Sequence, residues 1–299
     1  MNLLIAMIAP FFWGTTYAVA QFTLPDWPPL ALACLRALPA GLLLLALKPT
    51  WPKQSQWLPL LFLGSVNIAI FFCLIFLMAQ TLPSALAAIG MVSTPVFAML
   101  LAFFAYKTAP SKVQVVASII MIIAALLLFN PNQISINPIG ILALFAAISC
   151  MLTGSTFAKK MYGSIHWWTI LVWQLILGGL CLLPIAFIQA YFNPEAYQSM
   201  LNVDLKSLLG IGWIVILNTA LAYGVFFWVL QKITITEMSF AGIANPVAGI
   251  LMGAVLVGEQ FNLFQYNLML IMIVGSLLPQ IVAAIRKTAF FRHRVKKQM

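Results

Sequence analysis

The chain has 299 residues, of which 64% are apolar and only 7% charged, against the roughly 25% charged residues of a soluble domain. A water-soluble fold of this length cannot cover its surface with so few polar groups, so soluble enzymes, disordered chains and secreted disulfide scaffolds are excluded. The net charge of +10 would suggest nucleic acid in a soluble protein. Here the basic residues fall in short loops and at the C-terminal end, where membrane topology accounts for them, and no nucleic-acid partner is expected.

Dividing about 191 apolar residues by the ~20 that cross a bilayer gives nine or ten helical spans. Windows of about 19 residues predict helices over 3–21, 30–47, 57–79, 84–106 and 113–129. A second set is predicted over 138–157, 167–190, 207–230, 238–257 and 264–285. Prolines mark the breaks: Pro25, Pro28 and Pro29, then Pro49 and Pro52, Pro110, Pro131 and Pro138, and Pro194. The first stretch runs from Leu3 into Pro10 and Trp13-Gly14 with no basic segment before it, which reads as a retained helix rather than a cleaved signal peptide. Cys34, Cys73, Cys150 and Cys181 all lie inside apolar segments and are expected to be small packing residues rather than disulfides or metal ligands.

The basic residues orient the spans. With the N-terminus inside, the cytoplasmic loops and tail hold Lys48, Lys53, Lys107, Lys112, Lys159, Lys160, Lys232, Arg286, Lys287, Arg292, Arg294, Lys296 and Lys297. The outer side holds only Lys206, and Arg36 lies within a helix. That asymmetry predicts cytoplasmic termini and an even number of spans.

The chain also repeats itself. Asn67 matches Asn218, Gln80 matches Gln231, and Pro95 matches Pro246, each pair separated by 151, and the register holds from Leu126-Leu127 to Leu277-Leu278. With an odd number of spans per half, the second copy inserts upside down, the arrangement found in secondary transporters. The expected fold is therefore all-α and polytopic, with ten transmembrane helices: a five-helix repeat over 1–130, its inverted partner over 138–285, and a basic tail over 286–299.

Five-plus-five inverted halves, an early Trp13-Gly14, Pro29 followed by Arg36 in the second span, paired Pro95 and Pro246, and Asn245-Pro246 through Gly258-Glu259 together resemble the EamA-type members of the drug/metabolite transporter superfamily. The resemblance covers nearly the whole chain. It implies a bacterial inner-membrane permease with a central cavity, commonly an exporter of amino acids, related metabolites or drugs. At the end of the fourth span Tyr106-Lys107-Thr108 replaces the Gly-Glu pair that many relatives repeat there, so one acidic group is missing.

Asp26, Glu195, Asp204, Glu237 and Glu259 all fall at predicted helix ends or in loops, as do His166 and His293. No carboxylate is expected in the membrane interior, where proton-driven pumps place one. Nothing supplies a nucleophile with a base or a metal set, so neither enzyme activity nor a cofactor or metal is expected. Arg36 staples its helix to carbonyls or to Asp26, snorkels outward, or faces the anionic group of a substrate. Asn67 and Asn218, at mid-span, must hydrogen-bond to a neighbouring helix or to something in a cavity. Trp13 and Tyr17 share one helix face and, with Tyr223, are candidate cavity walls. Asn245 precedes Pro246 and can expose the carbonyls that the proline frees; Pro95 and Pro246 are candidate kinks. Gly242, Asn245, Gly249 and Gly253 share a face that either packs or slides. Trp27, Trp51, Trp57, Trp167 and Trp168 are expected at the membrane interfaces; Trp173 and Trp228 lie deeper.

The substrate-binding set is thus Trp13, Tyr17, Arg36, Asn67, Asn218, Tyr223 and Asn245. The partners expected are a small-molecule substrate and the lipid bilayer, with monomer and dimer both open. The function read from these residues is secondary transport of a small metabolite, outward by the resemblance, with amino acids or related amphipathic compounds as substrate class. The alternatives are efflux of drugs or hydrophobic compounds, and a non-transporting sensor or assembly subunit.

Overall fold

The structure is a computed structural model that describes residues 2–94, 96–97, 100, 103, 107, 109–128, 137–229, 241–242 and 244–296. Among the described residues every regular element is helical. In hydrocarbon an unpaired backbone amide or carbonyl costs several kcal/mol, and a helix pairs them all within one segment.

The first two helices are α1, Asn2–Thr23, and α2, Pro29–Leu47. Pro28 and Pro29 start α2, where a missing N–H costs nothing. The next, α3, is built from Trp57–Leu63, a π-helical stretch Gly64–Ile70, and Phe71–Thr81. The fourth helix, α4, begins with Ser84–Gly90 and tightens to a 3-10 turn at Met91–Ser93. Then follow α5, Lys112–Leu128, α6, Pro138–Met161, and α7, Trp167–Phe192. After a 3-10 segment, Pro194–Leu201, α8 runs through Leu205–Gly212, a π-helical stretch Trp213–Leu221, and Ala222–Val229. The last two are α9, Ala244–Met252 with a π-helical end Gly253–Val257, and α10, Leu263–Lys296.

Six of these segments are long and apolar enough to cross a membrane, beginning at Ile5, Pro29, Gln54, Pro138, Trp167 and Leu205. Shorter apolar helices follow at Lys112–Leu128, Ala244–Val257 and Leu263–Pro279. The chain is a polytopic helical membrane protein.

The helix α10 continues to Lys296, through most of the basic segment 286–299. Trp27 is 4% exposed and packs in the core, and Trp228 is 38% exposed. Pro95, Gln231, Glu237, Tyr106 and Thr108 lie outside the described residues.

Packing brings α2 along α7, α1 along α9, α5 along α10, and the second half of α3 along α6. Glycines permit the closest approaches. A Cβ on Gly14 would lie 2.1 Å from the Asn245 carbonyl oxygen, and one on Gly249 would lie 2.1 Å from Ala88 Cβ. The face shared by Asn245, Gly249 and Gly253 is therefore in tight contact with its neighbours, as small residues in membrane helices allow.

Candidate substrate site

Four membrane-length helices, α1, α2, α3 and α8, meet around Arg36. Its side chain is 3% exposed. Nε donates to Thr219 Oγ1 at 2.9 Å and Nη2 donates to the Asn218 carbonyl at 3.4 Å. The guanidinium carbon stands 4.1 Å from the centroid of the Phe72 ring and 5.9 Å from that of Phe76, an attractive cation–π placement. The π-helical stretch of α8 shapes this contact: Thr219 Oγ1 donates to Ile214 O, five residues back, at 2.8 Å. Its lone pairs then remain for Arg36. Among the described residues the ionisable groups near enough to act on Arg36 are the phenols of Tyr223 and Tyr17, and no carboxylate. Placing an arginine at the helix centre costs ~2.5–3.5 kcal/mol even on insertion scales. Among the described residues neutral oxygens and aromatic faces offset it.

Asn218 is fully buried. Its Nδ2 donates to Thr16 Oγ1 at 2.6 Å, and its Oδ1 accepts from Thr15 Oγ1 at 3.3 Å. Trp213 Nε1 donates to the same Thr15 hydroxyl at 3.0 Å. Asn218 thus ties α8 to α1 while its main-chain oxygen supports Arg36. One turn beyond Thr219, the ring of Tyr223 stands 5.0 Å from Trp13 and 5.8 Å from Phe72, and Trp13 is 5.2 Å from Phe226. Tyr17 is 2% exposed in the same core.

Trp13, Tyr17, Arg36, Asn218 and Tyr223 therefore gather in one cluster. Sequence reasoning missed Thr15, Thr16, Thr219 and Phe72 there. The three threonines adjoin selected residues and were open to discovery; the approach of Phe72 to Arg36 joins two helices and left no local signal.

Asn67 joins a different group. Its Nδ2 donates to Gln174 Oε1 at 3.0 Å, and a Cβ on Gly154 would lie 2.3 Å from its Oδ1. Among the described residues three buried polar atoms have no hydrogen-bond partner: Trp13 Nε1, Gln174 Nε2 and Asn245 Oδ1. Each such orphan costs about 1–3 kcal/mol, so each marks a place where a further partner would be favourable. Asn245 presses its backbone on Gly14, and Pro246 is buried close to the start of Ala244–Met252. A turn at Gly242 lies four residues before Pro246.

Of the acids, Asp26, Glu195 and Asp204 are exposed, and Asp204 caps α8 by accepting from Ser207 N at 2.8 Å. Glu259 meets the start of α4. Among the described residues no three His, Cys, Asp or Glu side chains cluster to hold a metal. An apolar groove of about 600 Å³ runs between Leu43, Leu47, Trp168, Ile216 and Trp228; it is lined by none of the predicted site residues.

Membrane-length helices enclose a buried cation, amides and aromatics here, a polar cluster of the kind that multi-pass transporters hold where helices cross within the bilayer. The chain belongs to the EamA-like transporter family, whose model matches residues 1–130 and 138–279. It is 34% identical over 251 residues to Protein PecM of Dickeya dadantii (strain 3937), covering 83% of this chain and 82% of that protein. It is 26% identical over 270 residues to the uncharacterized inner membrane transporter YedA of Escherichia coli (strain K12), covering 85% and 82%. At 23% identity over 298 residues it resembles a Salmonella typhimurium protein named "Probable amino-acid metabolite efflux pump", covering 95% and 96%. A crystal structure of 15% identity superposes with a TM-score of 0.65 over 95% of this chain and 97% of its own, a likeness of fold alone. By its family this chain is a membrane transporter, not an enzyme.

Proposed function

We propose that this chain is a secondary transporter of the bacterial inner membrane that moves small amphipathic metabolites bearing a carboxylate, amino acids foremost, out of the cell. Ten spans form two inverted five-helix halves that rock around the Arg36 cluster. The named inner-membrane and amino-acid relatives support location and substrate class.

The inverted repeat has physical support beyond the matched residues. The π-helical stretches Gly64–Ile70 and Trp213–Leu221 overlap when 151 is added to the first. Positive φ recurs at the same offset, 54° at Lys107 and 74° at Gly258.

Arg36 carries the reading. A buried guanidinium with neutral oxygens and aromatic rings around it gains most from an anionic oxygen. Trp13, Tyr17 and Tyr223 supply the apolar wall that an amphipathic solute needs.

The test is flux into proteoliposomes of the twenty radiolabelled amino acids, each beside its decarboxylated amine. Arg36→Gln should raise the apparent Michaelis constant for the best carboxylated substrate at least about tenfold, ~1.4 kcal/mol, and Arg36→Lys less. The amines should not respond. Equal kinetics of Arg36→Gln and native protein would leave Arg36 as a structural staple. Absence of flux for all twenty amino acids with native protein would overturn the substrate class.

A further inference from the structure

Helices α2 and α7 make reciprocal contacts. A Cβ on Gly41 would meet Ile176, and one on Gly179 would meet Leu38. Adding 138 to 38 and 41 gives 176 and 179, so each contact is the image of the other. The same offset carries Arg36 onto Gln174. Their partners correspond as well. Arg36 reaches Asn218 and Thr219 on the π-helical stretch of α8, and Gln174 reaches Asn67 on that of α3. Asn218 is flanked by Thr15, and Asn67 by Gly154, an offset of 139.

The two stations differ in what they leave unpaired. Gln174 is fully buried. Its Oε1 is taken by Asn67 Nδ2, and among the described residues its Nε2 has no partner. A free N–H in that position accepts no cation; it calls for an oxygen acceptor.

We infer that Gln174 is a second substrate-binding residue, the pseudo-two-fold counterpart of Arg36, whose Nε2–H donates to the substrate carboxylate on the cytoplasmic side of the midplane. This rests on the reading of Arg36 above. With Leu38 level with Gly179 and Gly41 with Ile176, Gln174 stands seven residues nearer the start of α7 than the level of Arg36. That is roughly 10 Å at 1.5 Å per residue. In the proposed topology this displacement is inward. The carboxylate passes from a neutral donor on one side of the midplane to a cationic donor on the other.

The experiment uses the amino acid of highest native flux, presented separately to the cytoplasmic and outer faces of oriented proteoliposomes. Gln174→Glu keeps an oxygen for Asn67 Nδ2 but replaces the free donor with a repelling anion. It should raise the cytoplasmic-face Michaelis constant at least about tenfold and the outer-face value less than about threefold. Gln174→Met, which removes the donor without adding charge, should act in the same sense by roughly three- to tenfold and serves if the charged variant does not fold. A response to Arg36→Gln with none to either Gln174 variant, or equal effects on both faces, overturns the Gln174 assignment and leaves that of Arg36 standing. No response to Arg36→Gln overturns the underlying reading first.

Discussion

The carboxylate of Glu259 accepts from the amide and hydroxyl of Ser84 and from the Ala85 amide, the last two at 2.6 and 3.0 Å. Gln21 joins this knot, accepting from Ser84 Oγ at 3.1 Å and donating to the carbonyls of Ala79 and Leu82. Gly258, in the left-handed conformation, turns the chain so that the next residue can reach α4. A negative charge on the first amides of a helix is favourable, and hydrogen bonds to a charged group are worth about 1.5–3 kcal/mol. Glu259→Ala should therefore lower the melting temperature in detergent by more than Glu259→Gln, which keeps one acceptor oxygen. Flux through Glu259→Gln should stay within about tenfold of native. A larger loss at normal expression would assign a coupling role to this interfacial acid.

Between elements, backbone approach dominates. Lipid tails are as apolar as leucine, so helices in a bilayer associate through close packing and hydrogen bonds rather than through burial of oil. Gly14 against Asn245 and Gly249 against Ala88 set how closely α1 and α4 approach α9. A methyl group at Gly249 has a backbone-anchored Cβ only 2.1 Å away, so no side-chain rotation relieves it. Gly249→Ala should cost about 1–3 kcal/mol, as overpacking of a tight core does, read as a lower melting temperature and reduced flux. Among the described residues nothing lies within 4 Å of the same atom added at Gly212. Gly212→Ala should be neutral or slightly stabilising, since alanine is the better helix former by about 1 kcal/mol. Equal behaviour of the two variants would remove the steric account of the α9 contacts.

At the scale of the molecule, charge segregates to the two ends. Trp168 Nε1 donates to the Lys48 carbonyl, Trp173 Nε1 donates to the Thr50 carbonyl, and Gln56 Nε2 donates to the Ser164 carbonyl. These bonds hold the loop carrying Lys48 and Lys53 beside the start of α7 and the end of α6, where Lys160 lies. At the other end Ser199 Oγ donates to the Asp26 carbonyl and Ser207 Oγ to the Thr23 carbonyl, grouping Asp26 with the segment that carries Glu195 and Asp204. An excess of Lys and Arg at one face is what the positive-inside rule expects of a cytoplasmic end. A C-terminal alkaline phosphatase fusion should be inactive and a C-terminal fluorescent protein bright. Strong phosphatase activity would invert the topology.

The sequence by itself determined the class of protein, the family, the bounds of most helices within a few residues, and several members of the Arg36 cluster. Composition and breaker residues act locally and nearly additively, so they can be read without neighbours. What it could not determine is which sides of the helices meet. Helices such as α7, apolar along almost their whole length, carry no polar stripe to separate a lipid face from a packed one. The sequence therefore put Asn67 and Asn218 in one set, whereas the tertiary structure sends Asn218 to Thr15 and Thr16 and Asn67 to Gln174. The π-helical stretches and the ring of Phe72 against Arg36 were likewise decided only by assembly. A register shift within a helix and a contact between distant helices gain their free energy from partners far away in the chain.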